Sequence, residues 1–251
     1  MGIRGIIANN IVKSALRDMP KRVPKYGQLE MFPRDSAKQA ADRFAVFMRD
    51  SQAVAPVNAS AVKPLRLYHA TPEQFDSFKF NAAPGRIRRH ALFAAEDPEY
   101  AQTYVKAGGE YSTGANVLPI YASIRNPLDM TDEGLGAIPG HEADRLKQFG
   151  INLDVLAGQS RYHRWHALDR EQGKERIDGL KAAGYDGVKL QELFSDVVSS
   201  AHPRHGDVAN VWAAFDPTQF KSVFNRGSFS VRDPHLRKAR GGRVSSFAVR
   251  R

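Results

Sequence analysis

Apolar residues repeat with a helical period at the start of the chain and with a strand-like period from about residue 64 onward. Ile6, Ile7, Ile11, Val12 and Leu16 keep the spacing of an amphipathic helix. Lys21-Arg22-Val23-Pro24-Lys25 then breaks that spacing with proline and positive charge. Ser36 is placed to cap a second helix, with Ala40, Ala41, Phe44, Phe47 and Met48 along one face. Residues 53–64 are small, polar and punctuated by proline, which reads as a linker. The first 62 residues are too few for a strong core of their own. The pattern therefore predicts a helical appendage that packs on a main domain or on a partner.

Beyond the linker the runs shorten. Leu65 and Leu67 alternate ahead of Tyr68-His69-Ala70-Thr71, a short strand closed by a histidine and a polar turn. His90-Ala91-Leu92-Phe93-Ala94-Ala95 predicts a second strand. Residues 96–105 predict a helix, with Asp97 at the N-cap, Pro98 at the first helical position and an acidic residue in the first turn. Residues 117–124 read as a strand in which Pro119 marks an edge or a start. A short helix over 141–149 ends at Gly150, and a longer one over 168–183 ends at Gly184. Tyr185-Asp186-Gly187-Val188-Lys189-Leu190 is a turn feeding a strand, with Asp186 as the turn residue. Residues 191–207 are polar and loop-like, residues 209–217 form another strand, and residues 220–223 a short last one.

Composition narrows the class. Hydrophobic residues make up 42% and charged residues 25% of 251, as in an ordinary globular protein without a membrane span. The N-terminal apolar run is too short for a signal peptide. There is no cysteine, which excludes disulfides and thiolate metal sites and fits a cytosolic protein, or one packaged and delivered without an oxidising step. The formal charge of +10 is the strongest compositional signal, and it points to nucleic acid or another polyanion. Much of it lies at the ends: residues 231–251 hold seven Lys or Arg against one Asp.

The order of motifs adds a family. Tyr68-His69-Ala70-Thr71 is followed by Leu92-Phe93-Ala94-Ala95 with Ala101 and Tyr104, then by Ile124-Arg125-Asn126-Pro127-Leu128. Gly184-Tyr185-Asp186-Gly187, Phe215-Asp216-Pro217-Thr218-Gln219-Phe220-Lys221-Ser222 and Asn225-Arg226-Gly227-Ser228-Phe229 complete the series. This series resembles the ADP-ribosyltransferase-like domains of phage polyvalent and head-associated proteins, distant relatives of the poly(ADP-ribose) polymerases and diphtheria toxin. The resemblance implies an α+β fold with a split mixed β-sheet over residues 63–230, between the appendage of residues 1–62 and a basic tail of residues 231–251. It implies NAD as substrate, no metal, and a host protein or nucleic acid as acceptor, with a virion component as a further partner.

The same resemblance assigns roles. His69 would hold a ribose hydroxyl, flanked by Tyr68 and Thr71. Ala70 stands where the family has a glycine whose backbone holds the nicotinamide amide. Phe93 lies on the second strand, and Leu92 stands where the polymerases have a tyrosine. Tyr104 would stack on the nicotinamide, although its helical spacing from Tyr100 and Ala101 fits core packing equally. Arg86, in Gly85-Arg86-Ile87-Arg88-Arg89-His90, would meet the pyrophosphate. A glutamate is expected near the start of a later strand, but Asp207-Val208-Ala209-Asn210-Val211-Trp212 holds none. Asn210 is the nearest match and Asp207 the second. Asn can hydrogen-bond a ribose hydroxyl but cannot act as a carboxylate base. Two other readings stand beside this one. The fold could be kept without catalysis, as a module binding nucleic acid or a virion partner through its basic surface. A small basic nuclease rests only on charge and scattered histidines. His163 and His166 lack a third metal ligand at a known spacing.

Overall fold

A hairpin occupies the stretch that reads as a linker. The structure, a computed structural model, describes residues 37–58, 61–71, 75–80, 90–106, 116–158, 164, 173–225 and 230–235. The first helix of the appendage and the basic run after His235 fall outside these residues. The helix α1, Ala37–Phe47, is followed by β1, Val54–Asn58, and β2, Ala61–Pro64, which pair antiparallel. Val54, Val57 and Val62 favour the extended backbone, and a two-stranded sheet has only edges, where Pro56 and Pro64 cost no ladder bond. Helix α1 packs on the main domain: Phe44, Phe47 and Met48 are buried against Tyr121 and Val223. Each such side chain contributes about 2 kcal/mol.

The remaining strands build one sheet. They are β3 (Leu67–Thr71), β4 (Leu92–Ala95), β5 (Asn116–Ala122), β6 (Pro127–Asp129), β7 (Gly187–Leu193), β8 (Val208–Ala214) and β9 (Phe220–Ser222). Their order is β6-β7-β8-β4-β3-β5-β9, antiparallel except for the β6–β7 pair. Strand β3 is paired along its whole length with β5, from Leu67↔Ile120 to Thr71↔Asn116. Its pairing with β4 is the single position Tyr68↔Ala95. The sheet therefore parts between β3 and β4 beyond Tyr68, which gives the split mixed sheet expected. Strand β9 covers only Ile120, Tyr121 and Ala122 of β5. Pro119 thus falls on a length of β5 that has no second neighbour among the described residues, as proline in a strand prefers.

The helices lie on one face. They are α2 (Pro98–Lys106), α3 (Asp132–Ala137), α4 (Gly140–Gln148), α5 (Leu153–Gly158) and α6 (Gly173–Ala182). Asp97 caps α2 as expected, its Oδ1 accepting the N–H groups of Glu99 and Tyr100 at 2.8 and 3.1 Å. Gly150 and Gly184 end α4 and α6 with φ of 75° and 92°, the left-handed turn that glycine adopts freely. Tyr100, Leu146, Ile177, Leu180, Val188, Leu190 and Val211 belong to the core on this face. Leu67, Leu92, Ala94, Trp212, Phe78 and Phe220 form the core of the other face. Strand β7 runs three residues into the expected loop, with Leu193 still paired to Val208.

Candidate functional site

The split places His69 between the two halves of the sheet. Its Nδ1 lies 2.7 Å from the carbonyl oxygen of Phe93 on β4. A carbonyl only accepts, so Nδ1 carries the hydrogen and the tautomer is set. The imidazole thus spans the gap where the β3–β4 ladder stops. Phe75, Phe78 and Phe220 surround it edge-on, with ring centroids 5.9, 5.6 and 6.2 Å away. The aromatic wall beside the histidine comes from residues 75–80 and β9. Residues 75–80 are held from behind, where the Phe78 N–H donates to the Pro234 carbonyl at 2.9 Å and Ser77 bridges to His235.

Strand register extends this face into a polar row. Ala94 lies opposite Trp212, and Trp212 opposite Lys189. One step from the Tyr68↔Ala95 pair, His69 joins the same line across the sheet. Two residues along each strand, on the same face, stand Glu96, Asn210 and Gln191. The Glu96 carboxylate accepts from Trp212 Nε1 at 2.8 Å and from Asn210 Nδ2 at 3.2 Å. Asn210 Oδ1 in turn accepts from Gln191 Nε2 at 3.4 Å. Lys189 stands over the Trp212 ring, its Nζ 5.9 Å from the centroid and 3.8 Å from an Asp129 oxygen. A half-buried carboxylate, an imidazole and a lysine thus share one face.

The other expected site residues divide between this face and elsewhere. Thr71 follows His69 on the same face by strand alternation. Asn210 is there too, as the donor that orients Glu96. Tyr68, Ala70 and Phe93 pack toward the helical face. Tyr104 does so as well: its hydroxyl donates to Glu192, which also accepts from Tyr100 at 2.7 Å. Burial first, and then the charge of Glu192, hold the Tyr104 hydroxyl protonated far above the usual tyrosine range. Asp207 lies at the rim before β8. It accepts from Arg204 Nε at 2.7 Å, and the same guanidinium reaches Asp97 at 2.7 Å and Glu99 at 3.1 Å. Burial tends to raise the Asp97 pKa, but hydrogen bonds from Tyr100 N–H, Arg204 and Glu99 N–H bring it below the usual value. Arg86, His163 and His166 lie outside the described residues. Among the described residues, no group of three or more His, Cys, Asp or Glu is placed to hold a metal ion.

Sequence reading missed Glu96, Trp212, Gln191 and Lys189. Glu96 carries a second signal beside the acidic start of α2: it stands two residues after Ala94, on the same face of the strand. A surface hollow of about 490 Å³ lies apart from this row, lined by Phe47, Arg125, Tyr185, Asp186, Asp216 and Gln219 among others. Its two carboxylates already serve the backbone. Asp186 accepts from the N–H groups of Arg125 and Asn126, and Asp216 from that of Thr218.

A family model described as ADP-ribosyltransferase in polyvalent proteins matches residues 61–229, about two thirds of the chain. The match begins in β2 and ends beyond β9, so it takes in the whole seven-stranded sheet. No curated protein and no solved structure matches the chain.

Proposed function

The chain belongs to the family of ADP-ribosyltransferases in polyvalent proteins, and we propose that it transfers ADP-ribose from NAD to a host macromolecule, as a phage-borne protein acting in the host cytosol. The family uses NAD as substrate. NAD lies along the face that carries His69, with nicotinamide at the split between β3 and β4. The Ala70 backbone at the split holds the nicotinamide amide, and Thr71 borders it. The observation that carries this reading is the imidazole at the split, fixed by the Phe93 carbonyl and walled by Phe75 and Phe78. A ring so fixed presents Nε2 to a ribose hydroxyl without losing further rotational freedom. The bond between ribose C1′ and the nicotinamide nitrogen breaks with its electron pair going to the nicotinamide. Neutral nicotinamide leaves, and the acceptor's nucleophile or water takes the ribosyl cation and releases one proton.

The test is incubation of the full chain with labelled NAD and a cell lysate. The expected result is label on an acceptor and free nicotinamide, both falling about 100-fold in His69→Ala. Absence of both products, or an unchanged rate in His69→Ala, overturns the reading.

The distribution of charge favours a second reading, in which the fold binds nucleic acid or a virion partner and does no chemistry. Residues 37–235 carry 24 Lys or Arg and 24 Asp or Glu, so the whole excess sits at the two ends. Residues 1–36 hold seven cations against three anions, and residues 236–251 hold six against none. If six cations contact phosphates, log affinity falls with log salt at a slope of about −5 for duplex DNA. A flat salt response removes this reading. NAD binding by calorimetry separates it from the first.

A further inference from the structure

We propose that Glu96 is the catalytic carboxylate of this site, in place of the glutamate that β8 lacks; the assignment rests on the NAD reading above. Four carboxylates stand where β4 ends and β8 begins: Glu96, Asp97, Glu99 and Asp207. Arg204 engages three of them, at 2.7 Å from Asp97, 3.1 Å from Glu99 and 2.7 Å from Asp207. Glu96 is the one of the four that Arg204 does not engage, and its partners are neutral, the Trp212 indole and the Asn210 amide. Its charge is oriented but not cancelled.

The geometry suits substrate contact. Each carboxylate oxygen holds one donor, at 2.8 and 3.2 Å, and each keeps accepting capacity for a second. The strand β8 delivers Asn210 where a carboxylate is wanted, and Asn210 Nδ2 hands that position to Glu96 across the β4–β8 ladder. The Glu96 N–H donates to the Asn210 carbonyl at 2.9 Å, so the two residues are joined by main chain and side chain. Glu96 then stabilises the positive charge that develops on the ribose as nicotinamide leaves. It also accepts the proton that the acceptor or water gives up when it attacks C1′. Asn210 and Trp212 are positioning residues, since they act through Glu96.

Glu96→Gln isolates the charge. A Gln at 96 still accepts from Trp212 Nε1. Its amide N–H₂ pairs with Asn210 if the Asn210 and Gln191 amides both turn over, so every hydrogen bond has a replacement. The experiment measures nicotinamide release and NAD affinity for the full chain, Glu96→Gln and Glu96→Asp. The expected result is a fall in kcat of about 100-fold or more in Glu96→Gln, with NAD affinity within about threefold and the melting temperature unchanged. Glu96→Asp recovers part of the lost rate, because charge is kept and only reach is lost. A purely structural Glu96 predicts the reverse order, with Gln tolerated better than Asp. Wild-type turnover with an equal kcat in Glu96→Gln overturns the role of Glu96 and leaves the NAD reading standing. No nicotinamide release from the wild type overturns both.

Discussion

Two glutamates occupy opposite faces of the same sheet, and each takes hydrogens from aromatic side chains. Glu192 is 2% exposed and accepts the hydroxyls of Tyr100 and Tyr104 beneath α2. Glu96 is half-buried and accepts an indole N–H and an amide N–H just past the end of β4. The first is sealed by a fully buried Tyr100 and a half-buried Tyr104, so its hydrogen bonds are spent inside the fold. The second is held by two donors from one side and meets the outside on the other. Polar groups of one type thus serve structure or chemistry according to how completely their surroundings close over them.

Removing Glu192 tests the structural half of that contrast most severely. Glu192→Ala removes the acceptor that two tyrosine hydroxyls share, and leaves a cavity under α2. A loss of about 3–5 kcal/mol in urea-unfolding free energy is expected. A loss below about 1 kcal/mol would break the contrast. Trp212→Phe removes one of the two donors to Glu96 and leaves the ring in place. A stability cost of about 1 kcal/mol is expected, with nicotinamide release reduced about tenfold. A normal rate in Trp212→Phe would show that Glu96 needs no second anchor.

Proton binding sharpens the comparison further. The Tyr104 hydroxyl is held protonated in the fold by burial and by Glu192, while in the unfolded chain it ionises near its ordinary value of 10.0. Above that pH the folded state binds more protons than the unfolded state. The stability Tyr104 contributes is therefore full below pH 10 and lost as pH rises through the alkaline range. Wild-type stability should fall there more steeply than that of Tyr104→Phe. Equal slopes would show that this hydroxyl is not protected. The smallest effect is expected at the rim. Asp207→Asn removes one of three partners of a solvent-facing arginine and should change stability by less than about 0.5 kcal/mol. The rate should stay within twofold, whereas a large loss would return Asp207 to the chemistry.

Much of the frame was legible in the chain itself. Asp97-Pro98 marked the start of α2, Gly150 and Gly184 marked helix ends, and His69 lay on a short strand. These are local signals, each set by backbone conformation within a few residues. The identity of the carboxylate was not legible in this way. Glu96 reads as an acid at a helix start until β8 is laid beside β4, and a one-residue change of register would turn it to the other face. Residues 191–193 illustrate the same limit. Gln191 faces the polar row and Glu192 faces two tyrosines, so neither face of the strand shows the apolar alternation that would have marked it. Tyr104 kept the helical spacing of a core residue, and core is where it lies. Residues 53–64 read as a linker because four alanines, two prolines, an asparagine and a serine outnumber the three valines that favour pairing.

The bridge between Ser77 and His235 has a bearing on how the wall beside His69 is held. The chain leaves the described domain from the very segment that props the phenylalanines against His69. Because the Phe78 N–H donates to the Pro234 carbonyl and the Phe78 ring meets His69 edge-on, a shift of residues 230–235 is passed through the main chain to the imidazole.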